Sequence, residues 1–208
     1  MSVINLTFCF SSLFIFNNNY LPDNKDENLA KSWNALKNGK IIQIQQAEGQ
    51  LYDTFLCLSK EISYLLCNDN EDQFLLIRSC YHDLSNIILN SKETNCRITT
   101  NPGIGKTFFG YYLLYKLAQQ NKTVVYHKTN KCAILFCGKS AFYCKEIFHY
   151  LHDRTVWYIV DDREPILNNA KTILISSPQY HYYKQIDKHG VRIMYMPGRN
   201  RCMQTCDF

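Results

Sequence analysis

No block of this chain is basic enough to act as a nucleic-acid arm, and a formal charge of +5 over 208 residues is modest. Charge by itself therefore selects no polyanionic partner. Long apolar runs are equally scarce. The apolar start, Met1 to Phe16, falls short of the roughly 20 residues that a membrane-spanning helix requires, so no membrane partner is expected. It has a signal peptide's length but no basic beginning, and Asn17-Asn-Asn19 makes a poor cleavage site. Its expected use is a buried strand or strand pair, Val3 to Phe10 and Leu13 to Phe16. Internal repeats and lipidation signals are absent. The six histidines offer no pair at metal or triad spacing. Cysteine is plentiful, ten in all, but scattered through strand and helix patterns, which excludes the disulfide framework of a small secreted domain. Neither Cys132, Cys137, Cys144 and His149 nor the pair Cys202 and Cys206 matches a common zinc spacing.

What is present suffices for a core. Apolar residues make up 46% and aromatics 14% of the chain, enough for one domain, or one and a half, and too much for a disordered chain. The segment richest in chemistry is Thr100-Asn-Pro-Gly-Ile-Gly-Lys-Thr107, between a β-prone run, Asn95 to Thr100, and an apolar helical stretch, Phe108 to Gln119. This is the setting of a P-loop (Walker A). A phosphate chain needs inward backbone N–H groups from a glycine-rich turn, a lysine for the β- and γ-phosphates, and a hydroxyl for Mg²⁺. Asn101, Pro102, Gly103, Ile104 and Gly105 form the turn, and Lys106 and Thr107 are placed for the other two tasks. The helix that follows aims its positive dipole end at the same anion. Thr100 stands where the usual pattern has its first glycine.

A second signal is Thr155-Val-Trp-Tyr-Ile-Val-Asp-Asp162, an apolar run ending in two acids, which reads as a buried parallel strand of the Walker B kind. Asp161 at its end is the candidate Mg²⁺ ligand. Asp162 has two readings, a base that polarises the attacking water or a strand-end turn acid. A third run, Lys171 to Ser177, ends in hydroxyls before Pro178; such a strand often lies between the two Walker strands, where Ser176 or Ser177 senses the γ-phosphate. An ordinary strand end is the alternative.

The periodicity predicts further elements. Residues 17 to 28 read as an exposed linker, Leu29 to Leu36 as a helix stopped by Asn38-Gly39, and Lys40 to Gln45 as a strand. Helices are expected over Leu51 to Leu66, Phe74 to Asn90 and Ser140 to Leu151, with an acidic loop at Asn68 to Asp72. Strands are expected over Thr123 to Tyr126, Cys132 to Cys137 and Val191 to Met196, and a short helix near Tyr182 to Lys188. Phe108, Tyr111, Tyr112, Tyr115 and Ala118 form the expected core face of the first helix after the loop. Alternating strands and helices imply a parallel sheet with helices on both faces.

The stretch Thr100 to Leu113, the Trp157-Tyr-Ile-Val-Asp161 strand, Ser176-Ser-Pro-Gln179 and Tyr195-Met-Pro197, with Phe74-Leu-Leu-Ile-Arg-Ser-Cys-Tyr81 upstream, resemble the P-loop NTPase module of Crinkler effectors and retrotransposon hot spot proteins. The resemblance covers roughly residues 74 to 197. It implies an α/β fold, a P-loop NTPase sheet of the additional-strand type, preceded by a small mixed α/β region. It also implies ATP and Mg²⁺ as cofactors, nucleotide and metal binding by Lys106 and Thr107, and Asp161 as the Walker B acid. Release by filamentous microbes and action in host nuclei follow from the same resemblance. The organisation expected is a vestigial header and linker over 1–28, an N-terminal region over 29–90, the NTPase core over 91–197 and a polar tail over 198–208.

The chain departs from the family at Thr100, at Asp162 where a glycine commonly follows the acid, in a header cut to a short apolar start with Leu29-Ala-Lys31 a weak echo of its terminal motif, and after Pro197, where a tryptophan-bearing lid is replaced by a polar tail. The lid would supply an arginine, so nucleotide binding is expected to be better preserved than turnover; Arg192, Arg199 and Arg201 are the local substitutes. Two other functions compete. One is an interaction module with a decayed nucleotide site, binding a protein partner or a second copy. The other is nucleic-acid binding through Tyr180 to Arg201, where lysines and arginines interleave with tyrosines.

Overall fold

The computed structural model describes residues 25–45, 52–59, 74–99 and 101–198. The apolar start, the Asn68 to Asp72 loop, Thr100, Arg199, Arg201 and the cysteine pair of the tail lie outside them. The chain is α/β, built on a large, mostly parallel sheet. Helix α1 (Glu27–Lys37) opens with Asp26, whose carboxylate accepts from the Leu29 N–H at 2.8 Å, and carries Glu27 in its first turn and Lys37 in its last, charges that suit the helix dipole. Strands β1 (Lys40–Gln45), β2 (Tyr52–Cys57) and β3 (Phe74–Ile77) form an antiparallel three-stranded sheet in that order. After helix α2 (Ser79–Asn90) comes β4 (Asn95–Thr99), the loop at 101–105 and helix α3 (Lys106–Gln119). Then follow β5 (Val124–Lys128), β6 (Ala133–Cys137), β7 (Ser140–Cys144), the one-turn α4 (Phe148–Leu151), β8 (Trp157–Asp161), β9 (Lys171–Ser176), the one-turn α5 (Tyr180–Tyr183), a 3-10 turn (Ile186–His189) and β10 (Arg192–Tyr195).

The seven-stranded sheet has the order β10-β4-β9-β8-β5-β6-β7. Neighbours from β10 to β5 pair in parallel, and β6 and β7 are antiparallel additions at one edge. One face, with Cys96, Ile98, Trp157, Ile159, Ile173 and Ile175, shares a core with α1, α2 and α3. The other, with Val125, Tyr158, Val160 and Leu174, is covered by Ile147, Leu151 and Ile186 from the short helices. Trp33 of α1 stacks on Phe136 of β6 with ring centroids 4.6 Å apart, and the Asp26 N–H donates to the Ala141 carbonyl of β7.

Several expected helices are strands. Residues 52–57 form β2, because Leu56 and Leu58, two apart, both enter the core while β1 and β3 pair on either side; residues 60–66 lie outside the described ones. Phe74 to Ile77 pairs with β2, and the helix expected from Phe74 starts at Ser79. Ser140 to Cys144 returns along β6 as a hairpin, since Cys137 pairs with Ser140 and leaves Gly138-Lys139 as a two-residue loop, with Gly138 at φ +57° as such turns need. Phe108 departs from the core stripe of α3. It is 46% exposed, and Phe109 takes its place inside.

Candidate functional site

The chain leaves β4 for β5 in one direction across the sheet and β9 for β10 in the other. In open α/β sheets the crevice beyond the carboxyl ends of the strands at such a reversal is where ligands bind. The loop at 101–105 lies there, with Asn101, Pro102 and Gly103 exposed. Gly103 and Gly105 have φ of +78° and +91°, a region that glycine enters without penalty. An added Cβ at Gly103 would meet nothing within 4 Å, so the loop is open to a ligand on that side.

Lys106, the first residue of α3, is buried and donates from Nζ to the Asn101 carbonyl at 2.9 Å. Burial lowers its pKa, and the charges of Asp162 and Asp161 act against that fall. Asp161, at the end of β8, is 2% exposed and accepts from the Tyr126 hydroxyl at 3.0 Å. Burial pushes its carboxyl pKa up; the hydroxyls of Tyr126 and Thr107 and the Lys128 charge pull it down, while Asp162 adds to the rise. Lys106, Thr107 and Asp161 thus converge, though Asp161 comes from a different strand.

Asp162 takes a left-handed conformation, φ +50°, and its N–H donates to the Ile175 carbonyl at 2.9 Å. Its Oδ1 accepts from the Ser177 N–H at 2.9 Å and the Ser177 hydroxyl at 3.2 Å. The carboxylate therefore ties the tips of β8 and β9 together, the strand-end role, and fixes Ser177 beside the site. Ser176 points elsewhere: its hydroxyl is buried without a partner among the described residues, as is that of Thr99, which it faces across β4 and β9.

Three side chains of the site are not predicted from local pattern. Arg78 donates from Nη1 to the Ile104 carbonyl at 2.6 Å and from Nη2 to the Pro197 carbonyl at 2.7 Å. Tyr81 donates to the Gly105 carbonyl at 2.8 Å. Tyr126 reads as an ordinary core position of β5. No local signal marks Arg78 or Tyr81, which lie at the end of the Phe74 to Tyr81 stretch upstream of the loop.

Beneath the other face, Arg163 donates to His127 Nε2, and His127 Nδ1 lies 3.2 Å from the Tyr158 hydroxyl. Burial and the Arg163 charge lower the His127 pKa to about 4. In the basic and aromatic segment, Tyr180 is 68% exposed, but Tyr183 is stacked under Arg97 at 3.9 Å, and Arg97 pairs with Asp187 at 3.3 Å. Arg192 is exposed on β10.

Among the described residues no group of three or more His, Cys, Asp or Glu side chains is gathered to hold a metal. A Mg²⁺ ion bound with a nucleotide needs no such cage, because water and phosphate oxygens complete its shell around one or two protein ligands. Among the same residues no helix is long and apolar enough to cross a membrane. Comparison with protein-family models, with curated proteins and with solved structures finds no match.

Proposed function

We propose that the chain is a nucleotide-binding domain of the P-loop class, taking ATP with Mg²⁺ at the loop of residues 101–107. The observation that carries this reading is the convergence of Lys106 and Thr107 with Asp161 at the carboxyl edge of the sheet. The order β4-β9-β8, with β9 between the loop strand and the acid strand, supports the additional-strand type. In this reading the amides of Gly103, Ile104 and Gly105 face the phosphates, with Asn101 and Pro102 shaping the turn. Lys106 exchanges the Asn101 carbonyl for phosphate oxygen. Thr107 and Asp161 are the protein ligands of Mg²⁺, which would neutralise developing charge on the phosphates. Ser177, held by Asp162, faces the terminal phosphate; Asp162 as water-polarising base is the secondary assignment.

Titration calorimetry of the purified chain with Mg-ATP tests this. Binding that Lys106→Ala abolishes is the expected result. Absence of binding in the natural chain selects instead the interaction module, a reading favoured by the bond that closes Lys106 onto its own loop.

A further inference from the structure

We propose that Arg78 and Tyr81 are positioning residues that hold the phosphate loop with its amides facing inward, an inference that rests on the nucleotide-binding reading. A peptide unit is planar and trans, so its C=O and N–H point in opposite directions. Pinning a carbonyl outward therefore aims the next residue's N–H the other way. The Ile104 carbonyl shares its plane with the Gly105 N–H and accepts from Arg78 at 2.6 Å. The Gly105 carbonyl shares its plane with the Lys106 N–H and accepts from Tyr81 at 2.8 Å, as well as from the Phe109 N–H at 3.0 Å. Two consecutive amides of the loop are thus oriented by side chains from the start of α2.

Both side chains are themselves fixed. Tyr81 is buried, with its ring edge-on to Phe109 at 5.5 Å, and the Arg78 guanidinium lies over the Tyr81 ring while its second nitrogen grips Pro197. The same contact accounts for glycine at 105, because a Cβ there would come within 2.7 Å of the Tyr81 hydroxyl. A loop arranged before the anion arrives avoids the ordering cost at the moment of binding.

The test is calorimetric titration of the natural chain, Tyr81→Phe, Arg78→Lys, Arg78→Gln and Lys106→Ala with Mg-ATP and with Mg-tripolyphosphate. Thermal unfolding without ligand is recorded for each, with amide NMR of the bound states. Tyr81→Phe, which deletes one hydroxyl, is expected to weaken both ligands about three- to tenfold, and Arg78→Gln about tenfold or more. Arg78→Lys, able to reach one carbonyl, falls between. The loss is equal for the two ligands because the loop touches only phosphates, and the Gly105 and Lys106 amide resonances move, a change that general loosening would not single out. Natural affinity and unmoved amides in the folded variants, with Lys106→Ala still inactive, overturn the inference and leave the nucleotide reading standing. So does weakening confined to variants whose unliganded unfolding also falls. Failure of the natural chain to bind either ligand overturns both.

Discussion

Desolvation of Asp161 at 2% exposure outweighs the hydroxyls and the lysine around it, so its carboxyl pKa stands above 3.8 in the folded chain. A carboxyl pKa raised by folding means that the folded state holds its proton longer, so stability falls as pH rises through that window and the ionised acid is a net cost at pH 7. Asp161→Asn keeps the shape and an acceptor for the Tyr126 hydroxyl while removing the charge. The variant is expected to melt above the natural chain at pH 7 without ligand, and to lose Mg²⁺-dependent tightening of ATP binding. A lower melting point at pH 7 would contradict the argument. The place of Asp161 was legible because a long apolar run has one conspicuous end. Tyr126, Arg78 and Tyr81 were not, since nothing in their neighbours says that a strand residue or a helix start will meet a distant loop. Asp162 was legible as an acid at a strand end, but its bonds to the Ser177 N–H and hydroxyl were not.

The hairpin β6–β7 shows what an element depends on. Gly138 sits at φ +57° with open space where a side chain would go, so the cost of replacing it is one of backbone conformation alone. Its carbonyl also receives the Trp33 indole at 3.2 Å and the Lys37 ammonium, which dock α1 on the hairpin. Gly138→Val is expected to lower stability by about 1–2 kcal/mol and Gly138→Asn by less, because asparagine tolerates left-handed backbone; urea denaturation of the two variants measures the difference. The pattern of local residues was enough for α1, β1, β4, α3, β8 and β9, whose apolar spacing or length is unambiguous. It failed for β2, β3 and β7. Short apolar runs such as Phe74 to Ile77 fit either period, and the choice was made by partners far along the chain. The Gly138-Lys139 turn returns the chain along β6, so Ser140 to Cys144, where a helix was expected to begin, pairs as β7.

For the whole molecule, the proposed nucleotide and the proton would act on the same end of the sheet from opposite faces. Mg-ATP at a hundred times its dissociation constant is expected to add about 2.7 kcal/mol of stability, seen as a raised melting temperature that Lys106→Ala lacks. The proton acts at His127, on the far face. Arginine keeps its protons, so the ring accepts from Arg163 at Nε2 and carries its own proton on Nδ1, beside the Tyr158 hydroxyl. Folding lowers the His127 pKa from 6.5 to about 4. Between those values the unfolded chain binds the extra proton, so this contribution to stability is complete above pH 6.5 and is lost as pH falls toward 4. Protonation in the folded state would remove the acceptor for Arg163 and set two cations together under β5 and β8. The loss by pH 4.5 is about 2 kcal/mol for one such histidine. His127→Gln keeps an acceptor for Arg163 and cannot titrate, so its urea midpoint is expected to fall less than that of the natural chain between pH 7 and 4.5. An identical fall in both would place the acid sensitivity elsewhere and leave His127 a neutral filler of the core.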